Sequence, residues 1–288
     1  MSGKTIILTG CDANFFDFMS ETLSSIEALG LGQEADIGIL DLGLTAEQVA
    51  GLEAKGYIVK KPHWTMNVPM ELRKSYLVGF DARCCLPDYF PGYEIYLWFD
   101  ADAWAQTREF FDVLVQGART HGAAIIRENG TGYKRNFLYN RWWYGHMLAS
   151  WGIVNGLRVA WPAAINAGIY ALRADAPHWK AWRDDYQHMI DTRKKLNMDQ
   201  HAFNATFVLR GMSHLLASPT CNWICTLSPP HWNAQTRQFV TPDRAAKPIS
   251  VMHLAGPDKR RIYTLPQTSG GSVDTALTYD AFQKIKQA

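Results

Sequence analysis

Residues 92–104 read GYEIYLWFDADAW. The apolar and aromatic run Ile95–Phe99, which follows Pro91-Gly92, is typical of a strand buried on both faces. Asp100 and Asp102 come directly after it, at the end of a strand where ligands bind in open α/β sheets. Residues two apart in extended backbone point the same way, so both carboxylates are predicted to face one divalent cation. A D-x-D triplet also arises by chance about once in a chain of this length, so the evidence for a metal site depends on the position of the triplet directly after a buried strand.

The chain before this stretch alternates predicted strands with predicted helices. The strands cover residues 5–9, 37–40 and 57–59, and the helices cover 15–29 and a segment that begins after Thr45. A β-α-β-α-β opening of this kind predicts an α/β, Rossmann-like domain with a mainly parallel central sheet flanked by helices. The first strand is not followed by G-x-G-x-x-G, so the dinucleotide-binding fingerprint is absent.

The later chain continues the same pattern. Helices are predicted over 71–86, 107–115, 177–196 and from 198, and strands over 123–126, 165–172 and 248–252. We interpret 1–265 as one domain and 266–288 as a C-terminal tail, in which the Gly- and Ser-rich segment 269–275 is predicted to be mobile.

Composition narrows the class of protein. The chain has 288 residues and a net charge of +2, so no broad field for nucleic acid or a membrane is indicated. Five cysteines without zinc-finger spacing are expected to be free, buried thiols in a reducing compartment. We find no signal-peptide pattern and no apolar run long enough to span a membrane, so a cytoplasmic protein is expected. Peripheral contact with a membrane stays open.

Polar residues recur at the ends of predicted elements, and each has an ordinary structural explanation. Asp12 or Asn14 fits a helix N-cap, and Asp199 fits a charge that complements a helix dipole. The segment Asn166-Ala167-Gly168 fits a plain turn. His253, at the end of an apolar strand, fits a structural histidine.

Taken together, these residues form a set of motifs. The motifs are D-x-D at 100–102, H-x-x-G-x-x-K at 253–259, N-A-G at 166–168, D-Q at 199–200 and an arginine at 83. In order and spacing the set resembles glycosyltransferases of the GT-A fold. It is most similar to the family-eight retaining enzymes, which include lipopolysaccharide galactosyl- and glucosyltransferases and glycogenins. The resemblance covers about residues 4–260. The chain departs from the family at Phe15, where a tyrosine is common, and at Arg260-Arg261, which replace Pro-Trp.

The resemblance implies transfer of a hexose from a UDP-sugar, UDP-glucose or UDP-galactose, to a glycan or other hydroxyl acceptor, with retention of configuration. It implies a Mn²⁺ or Mg²⁺ ion held by Asp100, Asp102 and His253, and catalytic roles for Asp199 and Gln200 beside the anomeric carbon. The residues implied to bind the donor are Asp12, Asn14, Phe15, Arg83, Asp100, Ala101, Asp102, Asn166, Ala167, Gly168, Gly256 and Lys259.

Some alternatives remain at this point. The segment 128–156 is rich in Arg, Tyr and Trp, and it is either an acceptor-side insertion or an ordinary surface helix with aromatic anchors. A non-catalytic nucleotide-sugar or glycan-binding module would share the same fold. A sugar-1-phosphate nucleotidyltransferase is disfavoured, because Gly10-Cys-Asp-Ala-Asn14 lacks that class's Gly-rich basic loop.

Overall fold

The computed structural model describes residues 3–129, 132–133, 137–196 and 198–287, and only the backbone of 137–139. The strands up to residue 217 are β1 (Thr5–Cys11), β2 (Ala35–Asp41), β3 (Ile58–Lys60), β4 (Ile95–Phe99), β5 (Ala103–Ala105), β6 (Ala123–Arg127), β7 (Ile165–Arg173) and β8 (Leu215–Ala217). All of these except β5 form the central sheet, in the order β3-β2-β1-β4-β7-β6-β8. The pairs are parallel except where β7 runs antiparallel to β4 and β6. The predicted α/β fold with a mainly parallel sheet is therefore confirmed.

Helices cover both faces of this sheet. They are α1 (Phe16–Ala28), α2 (Ala46–Ala54), α3 (Val78–Ala82), α4 (Leu86–Tyr89), α5 (Glu109–His121), α6 (Phe137–Ala160), α7 (His178–Arg193), α8 (Asp199–Arg210) and α9 (Tyr279–Gln287). Alternate residues of β4 enter opposite cores, with Tyr96 and Trp98 on one face and Leu97 on the other. Every residue of β4 is buried, as its apolar run predicts.

The predicted helix over 71–86 is wrong, because the structure divides this segment. It contains 3₁₀ turns at Met70–Leu72 and Ser75–Leu77, followed by the short helices α3 and α4. Pro87 restricts the residue before it and has no N–H to continue an earlier helix. The break places Arg83 between two short helices, from where its side chain reaches the end of β4.

A second group of strands extends the fold beyond β8. These are β9 (Trp223–Ile224), β10 (His231–Asn233), β11 (Gln238–Val240), β12 (Val251–His253), β13 (Ile262–Pro266) and β14 (Ser272–Ala276). The strand β12 lies between β5 and β9, whereas β10–β11 and β13–β14 are antiparallel hairpins. The segment 269–275, predicted to be mobile, instead joins and enters the hairpin β13–β14. The following helix α9 packs Phe282 against Trp104, with ring centroids 4.8 Å apart.

The helix α6 departs from regular geometry at one position. Gly152 has φ 72° and ψ −179°, so the element consists of two helical halves joined at a sharp break. Its first half packs Trp143 and Met147 against Ala205 of α8. Across the described ranges, each helix is too short or too polar to cross a membrane. All five cysteines are buried free thiols, as expected.

Candidate active site

Asp100 and Asp102 lie in a tight turn between β4 and β5. The Ala103 N–H donates to the Asp100 carbonyl at 3.1 Å, and this bond closes the turn. The two carboxylates therefore approach the same point through a turn rather than through the extended backbone that the sequence suggested. Asp100 is anchored on both sides, because its Oδ1 accepts from Trp98 Nε1 at 2.7 Å and its N–H donates to the Gly168 carbonyl at 2.8 Å.

His253 comes to the same point from β12. This strand pairs antiparallel with β5 and places His253 opposite Ala103. His253 Nε2 lies 3.3 Å from Asp102 Oδ1 and 3.8 Å from Asp100 Oδ2. One possible ligand atom from each of the three side chains lies within 4.8 Å of the others. Two carboxylates and one imidazole in this arrangement fit a divalent cation such as Mn²⁺.

A chain of hydrogen bonds behind His253 sets the orientation of its ring. His253 Nδ1 lies 2.9 Å from Asn222 Oδ1, and Asn222 Nδ2 donates to Asn166 Oδ1 at 3.0 Å. Asn166 Nδ2 in turn donates to Glu128 Oε1 at 2.8 Å. Because an amide oxygen only accepts, Nδ1 carries the proton and Nε2 faces the two carboxylates. This is the tautomer of a histidine that binds a metal through Nε2.

Asp100, Asp102 and His253 shift one another's pKa values. Burial alone raises the pKa of Asp102, but His253 and Lys259 outweigh it and hold that pKa well below its usual range. Burial raises the pKa of Asp100, although Arg83 opposes the change. Burial alone lowers the pKa of His253, but the carboxylates of Asp102 and Asp100 raise it above its usual value. The two carboxylates thus stabilise a positive charge at the imidazole of His253, as they would stabilise a bound cation.

Lys259 and Gly256 belong to the loop that follows β12. Lys259 Nζ lies 2.5 Å from Asp102 Oδ2 and 2.9 Å from the Leu254 carbonyl, to which it donates. Gly256 has a φ of 108°, which favours glycine and lets the loop turn back. The ammonium also lies 5.5 Å from the centre of the Phe15 ring. The loop thus places a positive charge between the acidic pair and Phe15.

Arg83 connects the acidic pair to the start of α8. Its Nη1 donates to Asp100 Oδ1 at 3.1 Å and to the Ala167 carbonyl at 3.2 Å, and its Nη2 pairs with the Asp199 carboxylate. Asp199 is the first residue of α8, and the N-cap position before it, Met198, has no side-chain cap bond. Gln200 Oε1 accepts from the Ala167 N–H at 3.4 Å. Asp199 thus pairs with a buried arginine, and it also lies in the first turn of α8, where an acidic charge complements the helix dipole as expected.

Asn166, Ala167 and Gly168 lie inside β7 and do not form a turn. A Cβ atom added at Gly168 would lie 2.5 Å from His253 Cε1 and 2.7 Å from Asp100 Oδ2. Both distances are shorter than real Cβ contacts allow, so only glycine fits between the carboxylate and the imidazole.

Two adjoining cavities extend from the acidic pair towards the end of β1. The inner cavity, about 180 Å³, is lined by Arg83, Trp98, Asp100, Ala101 and Asp102 among others. The outer one, about 360 Å³, includes Asp12, and both share Phe15, Tyr76 and Phe80. Asp12 Oδ1 caps the following 3₁₀ turn by accepting from the N–H groups of Asn14 and Phe15. Asn14 is exposed and is not among the described lining residues of either cavity.

The structure thus brings most of the predicted residues to one place. Those joined by direct contacts are Arg83, Asp100, Asp102, Asn166, Ala167, Gly168, Asp199, Gln200, His253 and Lys259. Sequence reasoning missed Glu128, Asn222, Trp98 and Tyr76. Glu128 could have been found, because it is an acid that follows a predicted strand, as Asp100 is. Asn222 lies between Cys221 and Cys225, and only these cysteines were interpreted from that segment of the sequence.

Known proteins resemble this chain in structure and not in sequence. No family model and no curated protein matches the sequence. A solved structure of the galactosyltransferase LgtC, in complex with donor and acceptor sugar analogs, is 16% identical with a TM-score of 0.56, covering 98% of this chain and 95% of LgtC. The bifunctional glycosyltransferase WbbM is 14% identical with a TM-score of 0.58, covering 99% of this chain and 50% of WbbM.

Mouse xyloside xylosyltransferase 1 is 13% identical with a TM-score of 0.52, and the match covers 88% of this chain and 97% of that one. Identities this low establish the fold and leave the substrates open. The resemblance expected from the D-x-D, N-A-G and H-x-x-G-x-x-K motifs is confirmed at that level. The chain has the GT-A glycosyltransferase fold.

Proposed function

We propose that the protein is a metal-dependent glycosyltransferase that moves a hexose from UDP-glucose or UDP-galactose to a hydroxyl group of a glycan, with retention of configuration. One observation carries the proposal. Asp100 and Asp102, which form the candidate cation cluster with His253, line a cavity that also includes the aromatic ring of Phe15. A nucleoside diphosphate has matching parts, because its diphosphate needs a cation and its base needs a flat apolar surface.

The donor is expected to extend along both cavities. Phe15, whose side chain is partly exposed, and Tyr76 provide the aromatic surfaces for the uracil ring. Lys259 supplies a positive charge beside the diphosphate, and Gly256 lets the backbone of its loop come close. The hexose would then lie beyond the acidic pair, near Arg83 and Asp199, whose charged groups can bind its hydroxyls.

Breaking the bond between the anomeric carbon and the diphosphate places negative charge on the leaving phosphate oxygens. A divalent cation held by Asp100, Asp102 and His253 would stabilise that charge as a Lewis acid. Lys259 contributes a second positive charge on the same side, and it costs no reorganisation because its position is already fixed by Asp102 and the Leu254 carbonyl.

Retention follows most simply from attack on the same face that the diphosphate leaves. Asp199, the carboxylate nearest the proposed sugar position, is held in an ion pair with Arg83, which makes it a poor nucleophile. The acceptor hydroxyl would form the new bond to the anomeric carbon and give its proton to the departing phosphate oxygen. Asp199 and Gln200 would orient the sugar for that step.

Hydrolysis and binding assays test the proposal. We expect slow hydrolysis of UDP-glucose or UDP-galactose that needs Mn²⁺ or Mg²⁺ and stops in EDTA. Asp102→Asn should remove hydrolysis and most of the effect of Mn²⁺ on UDP affinity, whereas Asp112→Asn, an exposed acid on α5, should change neither. Equal UDP affinity in EDTA and Mn²⁺ would contradict the metal assignment.

Further outcomes separate the alternative functions. UDP-sugar binding without any hydrolysis or transfer would indicate a binding module. Release of pyrophosphate from UTP and a sugar 1-phosphate would indicate a nucleotidyltransferase. Proton NMR of the anomeric position in the product tests retention directly, and an inverted product would rule out attack on the face that the diphosphate leaves.

A further inference from the structure

A third cavity of about 390 Å³ lies between the first half of α6 and the end of α7. It is lined by Arg141, Trp142, Gly145, His146 and Arg193. On α6, Arg141 and Gly145 lie four positions apart, as do Trp142 and His146, so these residues share one side of the helix. None of these residues lines the cavities next to Asp100 and Asp102.

The described lining of this cavity carries positive charge without a matching acid. Within the described ranges neither Arg141 nor Arg193 forms an ion pair, whereas Arg183 on α7 pairs with Asp88 and Arg210 on α8 pairs with Asp185. The stretch 130–136 before α6 contains no Asp or Glu in its sequence. Two guanidinium groups without an acidic partner are suited to bind a carboxylate or a phosphate, because each guanidinium can donate two hydrogen bonds to such an anion.

The positive field reaches the imidazole in the cavity wall. The pKa of His146 is lowered, first by burial and then by the charges of Lys195 and Arg193. Lys195 therefore adds to the field of the two arginines although it does not line the cavity. An anion in this space would offset the repulsion between these cations.

An aromatic surface completes the lining. Trp142 is 49% exposed, and its ring centroid lies 4.9 Å from that of His146. A large flat ring beside two guanidinium groups suits a sugar that carries an acidic group, because the ring packs on the apolar face of the sugar. The adjacent Trp143, by contrast, is buried and packs in the core.

The cavity is linked to the proposed reaction centre through His201. This buried imidazole follows Gln200 in the chain, and its ring lies 5.8 Å from Trp142 and 5.4 Å from His146. The first turn of α8 therefore contributes Gln200 to the donor side and His201 to the wall behind the third cavity. This proximity favours a substrate-binding role for the cavity over a remote regulatory one.

We propose that this cavity binds the acceptor glycan through an anionic group on the sugar, either a carboxylate or a phosphate. The inference rests on the proposed transferase function and specifies its acceptor class. Its volume lies in the range of about 300–1,000 Å³ that is usual for small-molecule sites. The guanidinium groups of Arg141 and Arg193 hold the anion, and the ring of Trp142 supports the sugar.

Fluorine NMR of protein labelled with 5-fluorotryptophan tests the inference without turnover. The resonance of Trp142 is assigned with Trp142→Phe, and four probes are titrated: methyl glucuronide, glucose 6-phosphate, methyl glucoside and inorganic phosphate. We expect one or both charged sugars to shift the Trp142 resonance, and the one that does so identifies the anion. Methyl glucoside and inorganic phosphate should bind at least about tenfold more weakly than that charged sugar. Methyl glucoside lacks the anionic group, and inorganic phosphate lacks the sugar ring.

Two variants examine the role of charge. Arg141→Gln combined with Arg193→Gln should weaken binding of the charged sugar by about tenfold or more, whereas Arg158→Gln, an exposed arginine on the second half of α6, should leave it within about twofold. Should the double variant fail to fold, the salt dependence of the unmodified protein gives the same information. Rising ionic strength should weaken the binding of the charged sugar and leave the binding of the neutral sugar unchanged.

Three results would overturn the inference: equal binding of methyl glucoside and the charged sugars, inorganic phosphate binding as tightly as glucose 6-phosphate, or equal losses in Arg158→Gln and the double variant. Hydrolysis of UDP-hexose by the unmodified protein is measured in parallel. If hydrolysis is retained and charged sugars do not bind, only the acceptor inference fails. If hydrolysis is also absent, the proposed function fails.

Discussion

Lys259 Nζ lies 2.5 Å from Asp102 Oδ2, so a residue of the loop after β12 neutralises the second acid of the D-x-D motif. The same ammonium donates to the Leu254 carbonyl at 2.9 Å, which fixes its position between the acid and Phe15. The lysine therefore has protein partners on one side and, on the other, the ring of Phe15, which lines both cavities. A diphosphate that enters that cavity would meet a charge that is already in place.

Replacing Lys259 by glutamine should weaken binding of UDP in the presence of Mn²⁺ by about ten- to a hundredfold, because a charge-assisted contact is lost. Calorimetry measures this change. Arg260→Gln is the matched control. Arg260 is the next residue in the chain, but it forms an exposed ion pair with Asp17, so its removal should change UDP affinity by less than about twofold. Equal losses in both variants would show that only the overall charge of the loop matters.

Gly168→Ala should weaken Mn²⁺ binding by at least about tenfold and destabilise the protein by about 1–3 kcal/mol, because the new methyl group collides with His253 and Asp100. Electron paramagnetic resonance of free Mn²⁺ and urea unfolding measure the two effects. Gly51→Ala, in α2 with open space around its Cβ, should instead stabilise by up to about 1 kcal/mol. Normal Mn²⁺ affinity in Gly168→Ala would contradict the cation site.

Asp199→Asn should lower kcat by about two orders of magnitude and leave UDP affinity within about threefold, because UDP lacks the sugar that Asp199 would orient. It should also destabilise the fold, since the buried Arg83 loses one of its two carboxylate partners. Asp185→Asn breaks a second ion pair of a buried carboxylate, with the partly exposed Arg210, away from the site. A similar fall of kcat in both variants would reduce the role of Asp199 to stability.

His201 should make the protein less stable in mild acid. Burial, followed by the charges of His146 and Arg193, lowers its pKa from 6.5 to about 4, so the folded protein keeps this imidazole neutral. Below about pH 6.5 the unfolded chain takes up the proton first, and stability therefore falls as the pH drops towards 4, by about 3 kcal/mol in total.

Urea unfolding at about pH 7 and about pH 4.5 measures this loss. His201→Phe, which keeps a ring between Trp143 and His146, should lack most of it. His188→Phe is the control, because His188 is an exposed histidine stacked on Trp151 and its removal should leave the pH dependence intact. An unchanged pH dependence in His201→Phe would contradict the assignment.

Local sequence was sufficient for most strands of the central sheet and for the motif residues, but not for β8 or for the short strands outside that sheet. The run Ile95–Phe99 has so many apolar residues in so short a length that a buried strand is the simple outcome, and Asp100 then marks its carboxyl end. The segment 71–86 misled the prediction because its apolar spacing is helical while Pro87 and the tertiary contacts of Asp81 break it. Asp81 accepts hydrogen bonds from the backbone of Thr65 and Met66, which no local pattern reveals.

Residues that act through contacts between distant segments were harder to find. Asn222 is important because it joins Asn166 to His253, and this link depends on how β7 and β12 are arranged. Likewise, sequence spacing does not say which of Trp142 and Trp143 is buried. The packing of α6 on Ala205 of α8 turns Trp143 inward and leaves Trp142 half exposed.

The pairing of β12 with β5 joins parts of the chain that are synthesised at different times. His253 and Lys259 follow Asp102 by about 150 residues, so this contact is among the most non-local in the fold. Until β12 docks, the two acids face each other without the imidazole or the ammonium that balances them. A chain whose first half has already folded therefore lacks two members of the candidate site, His253 and Lys259, and the site is complete only once β12 and the loop after it have been made.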